Sequence, residues 1–495
     1  MSPWSPTTSR SPPASAARAG RSWFPTEPAG RTCGPAAGSP SPMEQRLLGA
    51  LEAHPGIDDW TLRLQRSRGV QIYLAGSVIE SVREVSREVY EVEIFNDHPS
   101  PQTEGAGEIA RGSATIPVAL DDLGRLEQIL NDAVTMASLV HNPPWPLPEP
   151  ADLPEVPLTD DRLASPGGAV AAGLEAADQI RTLTEQERAS GVRLSGAELF
   201  LTYFEEELRN SRGIEAASTS TRFLMEITLL ARGTDDETEY FRQAESRRLE
   251  DLRLQAAVSQ GARLARDKLR ATTPATREGP VVIEGEALHL LMTGQSTGSL
   301  GAYLFQASAR SAYERISRFE IGEPVFGGRE LGGEPLTLRS NARRPFGTSS
   351  YRFDSDGLAA QDLLVIEDGI LRARSATQRY AHYLGLPATG RPGVTEIKPG
   401  TTPIARLLDG GDPVVHVLDF AAANVEPVNG DFGMEIRVGY EVGPDGTRPV
   451  SGGSVTGNLF EAMADAHFSS ETAEFATYVG PAAIRFESLQ VAGED

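Results

Sequence analysis

The chain has 495 residues, 39% of them hydrophobic, a formal net charge of −23 and one cysteine, Cys33. That length leaves room for roughly three domains of about 150 residues. No apolar run approaches the roughly 20 residues of a bilayer span, the acidic body lacks the clustered Lys/Arg of a nucleic-acid groove, and a lone cysteine excludes an intrachain disulfide framework and a zinc ribbon.

Residues 1–42 differ from the rest. They hold Arg10, Arg18, Arg21 and Arg31 against a single acid, Glu27, among Pro, Ser, Ala and Gly. Such a tail cannot bury enough apolar surface to fold. It reads as a disordered leader, either a transit peptide or residues ahead of a true start at Met43. With no secretory core and Cys33 outside the body, a reducing cytoplasm is the expected compartment, with neither membrane nor nucleic acid as partner.

The first αβ region is expected over 43–141. Glu44–Ala53 is a short helix, and Trp60, Leu62 and Leu64 alternate as a strand. Ser67-Arg68-Gly69 is read as a turn before a second strand, Val70–Ala75. Ile79–Phe95 is rich in β-branched residues and reads as strand. Ala114–Val118 is another strand, and 121–141 carries a helical apolar stripe. Residues 142–157 form a Pro-rich, extended linker.

A second αβ region is expected over 158–271, with a helix at 171–187 and strands at 197–204, 214–218 and 222–231. Asn210-Ser211-Arg212-Gly213 is a turn, and a long helix runs over 249–271. Arg247-Arg248 beside Glu245, Glu250 and Asp251 reads as a solvated helix face. Leu249-Glu250-Asp251-Leu252 echoes Leu120-Asp121-Asp122-Leu123, and the two Ser-Arg-Gly turns echo each other. The region is thus a candidate internal duplication.

After a second linker, 272–279, a β-rich domain is expected over 280–495. It contains a strand at 280–283, a helix at 286–292, a hairpin at 362–371 turning on Glu367-Asp368-Gly369, a helix at 372–384 and a strand at 414–419. Met434–Val442 alternates as a half-buried strand and turns on Gly443-Pro444-Asp445-Gly446. The Gly/Ser-rich return at 449–455 implies backbone lying close to something else: another chain, a ligand or a cavity wall. Residues 478–491 close the chain as strand. The fold class is therefore α+β.

Local spacing shows no evident catalytic set. The seven histidines form no metal pair and no HExxH. His416 in VVHVLD reads as a packed strand residue. Asp354 and Asp356 lie in a loop ending in Gly357 and read as turn formers rather than a paired acid and base. Gly294–Gly301 lacks the GK[ST] of a phosphate loop, and Asp431-Phe432-Gly433 stands without the other kinase motifs.

Several motifs in order resemble the TldD/PmbA family, metallopeptidase-related proteins also described as modulators of DNA gyrase. These are Phe353-Asp354-Ser355-Asp356-Gly357, the 364–371 hairpin, Val428-Asn429-Gly430-Asp431-Phe432 and Gly439-Tyr440-Glu441-Val442. Pro449-Val450-Ser451 follows, with Val455-Thr456-Gly457-Asn458-Leu459 and the closing Gly480-Pro481 strand; upstream, Asn210–Gly213 agrees. The resemblance implies a peptidase acting on unfolded or short peptides, whose active branch carries zinc on an HExxxH helix and a C-terminal Cys. Laid on this chain, HExxxH falls on Gly285–Leu290. It keeps Glu286 as a weak catalytic candidate and loses both histidines, with His289 one residue out of place and His467 near the Cys position as weak metal candidates.

The resemblance therefore implies the PmbA/TldE-like branch: a chain with no cofactor of its own, zinc residing in a TldD-like partner subunit, within a hetero- or homo-oligomer. Ser451, Gly452, Gly453 and Ser454 are the candidates for binding a peptide backbone by strand addition. Two alternatives stay open: an active metallopeptidase with atypical ligands Glu286, His289 and His467, and a non-enzymatic scaffold or peptide-binding protein.

Overall fold

The structure, a computed structural model, describes residues 40–100, 108–293, 301–326 and 328–494. Cys33, most of the 1–42 tail and nearly all of the Gly294–Gly301 segment lie outside the described residues. Residues 40–42 do not: helix α1 (Pro42–Ala53) starts on a capping box in which Ser41 Oγ accepts from Glu44 N–H and Glu44 accepts from Ser41 N–H.

The first half of the chain builds one six-stranded antiparallel sheet. Its strands are β1 (Asp59–Ala75), β2 (Val78–Pro99), β3 (Ile109–Val118), β4 (Val192–Asn210), β5 (Glu215–Arg232) and β6 (Glu237–Ser246), ordered β3-β2-β1-β4-β5-β6. The two expected αβ regions thus share a sheet, joined where β1 pairs with β4. Each half runs helix, three strands, helix: α1 and α2 (Leu126–Ala137) flank the first, while α4 (Gly168–Glu187), preceded by the single-turn α3 (Asp161–Ala164), and α5 (Leu254–Lys268) flank the second.

The helices cover one face. Alternate β1 residues Trp60, Leu62 and Leu64 pack under α1 and α2, and Val70, Ile72 and Leu74 pack under α4 and α5. The Leu-Asp-Asp-Leu and Leu-Glu-Asp-Leu echoes are equivalent, since both form 3-10 turns that lead into α2 and α5. The two Ser-Arg-Gly segments are not. Residues 211–213 are the β4–β5 turn, but 67–69 lie mid-strand in β1, where a Cβ on Gly69 would sit 2.1 Å from Leu201 O of β4. Glycine there reflects close strand approach rather than a turn.

Other expectations are corrected. Residues 215–232 form one strand, β6 was not foreseen, and α5 begins at Leu254 because Arg253 takes a left-handed conformation. Arg247 lies on no helix. Its guanidinium is buried and donates to the carbonyls of Gly347 (2.8 Å), Thr348 (2.9 Å), Ser350 (3.0 Å) and Thr221 (3.2 Å), and burial pushes its pKa down to about 10. The helix expected at 372–384 spans only Gln378–Leu384.

The second half begins with β7 (Arg277–Glu284) and helix α6 (Glu286–Thr293). Strands β8 (Leu338–Asn341), β9 (Asp362–Glu367), β10 (Ile370–Leu371) and β11 (Val394–Ile397) follow. Then come β12 (Val414–Val425), β13 (Asp431–Gly443), β14 (Gly446–Val450), β15 (Ser454–Asn458), β16 (His467–Phe468), β17 (Thr472–Phe475), β18 (Tyr478–Pro481) and β19 (Ala483–Ala492). One sheet is ordered β10-β9-β8-β11-β18-β17. The other closes on itself: β12 pairs β7, β7 pairs β19, β19 pairs β15, β15 pairs β13 and β13 returns to β12. Closure removes the open edges of these strands. One large core, including Val415, Val417, Met434, Ile436 and Phe486, joins this ring to α6 and the other sheet.

Candidate functional site

The end of β7 and the start of α6 hold the residues that the sequence marks for chemistry. Val281, Val282 and Ile283 are buried strand residues; the chain then turns at Gly285, whose φ of +65° suits glycine. The Gly285 carbonyl accepts from Leu288 and His289 N–H at 3.1 Å each, starting α6. Ala287, Leu288, Leu291 and Met292 face the core. Glu286 points elsewhere, toward β6 and β12.

Four charged side chains from four elements meet there. Arg242 of β6 places Nη2 3.5 Å from Glu286 Oε1, and Arg437 of β13 places Nε 3.3 Å from Asp419 Oδ2 of β12. The buried Tyr240 side chain lies beside Asp419 and helps hold its carboxyl down, and Arg242 Nη1 donates to Gln260 Oε1 of α5 at 3.3 Å. Burial pushes the Glu286 carboxyl up to about 7, opposed by Arg242 and helped by the charge of Asp419. Burial likewise pushes Asp419 up to about 6, opposed first by Arg437.

The weak metal candidates do not join this group. His289 Nε2 lies 3.0 Å from Thr477 Oγ1, and its ring stacks on Phe475 with centroids 5.9 Å apart. Burial lowers its pKa to about 4, so it is neutral at physiological pH. His467, 38% exposed on β16, has Nε2 3.6 Å from Glu487 Oε1. Among the described residues no group of three or more His, Cys, Asp or Glu side chains is arranged to hold a metal ion. His416 is the packed strand residue expected, with Nε2 2.7 Å from Glu284 Oε2.

The stretch proposed for peptide backbone is occupied by the protein itself. Ser451 N–H donates to Thr272 O (3.1 Å), Gly452 N–H donates to Ile436 O (2.8 Å), and Gly453 O accepts from Ile436 N–H (3.1 Å). Ser454 lies between Glu435 of β13 and Ala492 of β19, and Ser451 Oγ donates to Arg437 O at 2.9 Å. The close approach read from the glycines exists: a Cβ on Gly453 would stand 2.4 Å from Ala492 O. The neighbour is the protein's own last strand, so the N–H groups of Ser451 and Gly452 are already spent within the fold.

Asp354 and Asp356 are turn formers. Asp354 Oδ1 accepts from Asp356 N–H (3.0 Å) and Leu358 N–H (2.9 Å), and its Oδ2 accepts from Arg391 N–H (3.2 Å). Asp356 Oδ2 accepts from Gln378 N–H at 3.3 Å, at the start of the 378–384 helix. Burial raises both carboxyls above the usual range, and the charge of Asp356 adds to the rise at Asp354. Phe353 of the same loop packs on Leu208, Ile214 and Ala216, on the sheet face opposite the helices.

Sequence reasoning missed Arg242, Asp419 and Arg437. A period-2 pattern at Thr238, Tyr240, Arg242 and Ala244 signals β6, but nothing local marks Arg242 as paired across the molecule.

Residues 276–493 match the family model described as the PmbA/TldA metallopeptidase C-terminal domain. The chain is similar to the Metalloprotease PmbA homolog of Haemophilus influenzae, at 23% identity over 57% of this chain and 61% of that protein. It is also similar to the Zinc metalloprotease TldD homolog of Saccharolobus solfataricus, at 22% identity over 40% of this chain and 45% of that protein. The chain thus matches less than two thirds of the length of these relatives. In fold it is similar to TldE from Thermococcus kodakarensis, with a TM-score of 0.71 and 17% identity over 91% of this chain and all of that one. The C-terminal part of the chain, residues 276–493, thus resembles the PmbA/TldD family.

The zinc that this family implies does not fit the residues present. Where the sequence resemblance lays the two histidines, Gly285 offers no side-chain donor and Leu290 is an apolar residue packed against the core, and the neighbouring carboxylate, Glu286, faces a guanidinium. Among the described residues no helix is long and apolar enough to cross a membrane.

Proposed function

We propose that this chain is the metal-free, PmbA/TldE-like subunit of a heteromeric peptidase that acts on unfolded or short peptides. A TldD-like partner would supply zinc and the activated water, and this chain would supply part of the wall around the substrate. The observation that carries this reading is the environment of Glu286: the residue that the sequence resemblance lays on a catalytic glutamate faces Arg242 and Asp419 rather than histidines. Without three protein ligands a catalytic zinc site is not formed.

The test is peptide hydrolysis by the purified chain alone and mixed with a TldD-like protein. Hydrolysis only in the mixture, in a co-eluting complex, is expected. Metal-dependent hydrolysis by this chain alone would overturn the reading. That outcome would favour the second reading, an active metallopeptidase, which the names of the metalloprotease relatives support.

A further inference from the structure

The environment of Glu286 is closed as well as lacking in ligands. Arg242 comes from β6 and is held from behind by Gln260 of α5, so both belong to the N-terminal sheet and its helices. Glu286, Asp419 and Arg437 come from α6, β12 and β13, in the C-terminal half. Asp419 and Arg242 are 10% and 16% exposed at the side chain, and Glu286 and Arg437 are 24% and 23% exposed, so no member is freely solvated. Lys268, at the end of α5, adds a third cation near Arg437 and Asp419 and donates to Glu239 O at 3.1 Å.

We propose that Arg242, Glu286, Asp419 and Arg437 form a charge-closed lock that ties the N-terminal sheet to the C-terminal strand ring and leaves no place for a divalent cation at Glu286. Two carboxylates are already matched by two guanidiniums, with Lys268 beside them. A divalent ion entering this poorly solvated space would leave several uncompensated positive charges, at a cost that buried ion pairs do not tolerate. Removing one partner strands the other, whereas removing both relieves the mismatch. The exclusion of metal rests on the functional reading above; the tie between the two halves does not.

The experiment is a double-mutant cycle in the full chain with Arg242→Met, Glu286→Gln and the pair, followed by chemical unfolding. We expect the double variant to deviate from additivity by at least about tenfold in the unfolding constant, or about 1.4 kcal/mol. Additivity within about twofold would overturn the lock. Should Arg242→Met fail to fold, Arg242→Gln with Glu286→Gln provides the same cycle across the same two halves, with the same criteria. In parallel, the wild-type chain is equilibrated with cobalt(II) and its bound metal measured. No equivalent that depends on Glu286 is expected; one equivalent bound by wild type and lost in Glu286→Gln would overturn the exclusion. Peptide hydrolysis by the chain alone would sink the functional reading while leaving the coupling between Arg242 and Glu286 intact, so the two failures are distinguishable.

Discussion

Two buried acidic pairs sit in the C-terminal half of this protein, and they are satisfied in opposite ways. Asp354 and Asp356 are held by backbone N–H groups of their own loop, of Arg391 and of Gln378. Glu286 and Asp419 are held by guanidiniums that arrive from β6 and β13. The first pair fixes local geometry: its acceptors fold a loop whose Phe353 then packs on the N-terminal sheet. The second pair joins elements remote in sequence. A raised carboxyl pKa alone does not separate a structural acid from a functional one; the identity of the partner does.

The largest effect should come from the backbone-satisfied pair. Asp354→Ala leaves three buried or half-buried N–H groups without their acceptor, and a loss of about 3 kcal/mol or more is expected from the usual penalty per group. Asp356→Asn, which keeps an acceptor for Gln378 N–H, should cost about 1 kcal/mol or less. Denaturant unfolding of the two variants checks the difference, and equal losses would contradict the role of Asp354 as acceptor of three backbone N–H groups.

Next is the pH dependence of the charge-satisfied pair. The folded-state value of Glu286, about 7, lies above its ordinary 4.5, so the folded state takes up the proton first as pH falls. The wild type should therefore gain stability relative to Glu286→Gln as pH falls from above 7 toward 4.5, and lose it again as pH rises. The gain should be about 2 kcal/mol, the full linkage of about 3 kcal/mol being discounted for the residual exposure of the carboxyl. Asp419, Arg242, Arg437 and Lys268 are the charged groups around it, and Glu286→Gln leaves all four in place. A difference that stays flat between pH 8 and 5 would contradict the burial of this carboxylate.

A smaller effect tests the seam beside the lock. The Tyr440 hydroxyl of β13 donates to Asp267 Oδ2 and accepts from Arg263 Nη1, both at 2.7 Å and both partners on α5. Tyr440→Phe should cost about 1 kcal/mol by the same unfolding assay. The smallest effect is expected for Ser451→Ala, which removes only the bond to Arg437 O: about 0.5 kcal/mol, with no change in peptide hydrolysis by the reconstituted mixture. A large loss of hydrolysis would restore this turn as a peptide contact.

Much of the fold is legible locally. Alternation marks β13, the Asp-Gly turn marks the β9–β10 hairpin, and the apolar stripe marks α2, because each pattern reports one element's own buried face. The Leu-Asp-Asp-Leu echo correctly signals the repeated approach to α2 and α5. Gly69 misleads because a glycine demanded by a neighbouring strand looks like a glycine demanded by a turn. The same ambiguity affects Gly453: the sequence signals a close neighbour but not that the neighbour is β19. At the site, Glu286 is legible through the family motif. Arg242 is not, since it reaches Glu286 only through the pairing of β6 with β5 and the docking of the two halves.

On the proposed function, a partner lends the chemistry at this fold. The most direct test is to assay short-peptide hydrolysis by the purified chain, by a TldD-like protein and by their mixture, and to repeat the mixture with Glu286→Gln in this chain. Activity that needs the mixture and survives Glu286→Gln is predicted. Metal-dependent activity of this chain alone, abolished by Glu286→Gln, would contradict it.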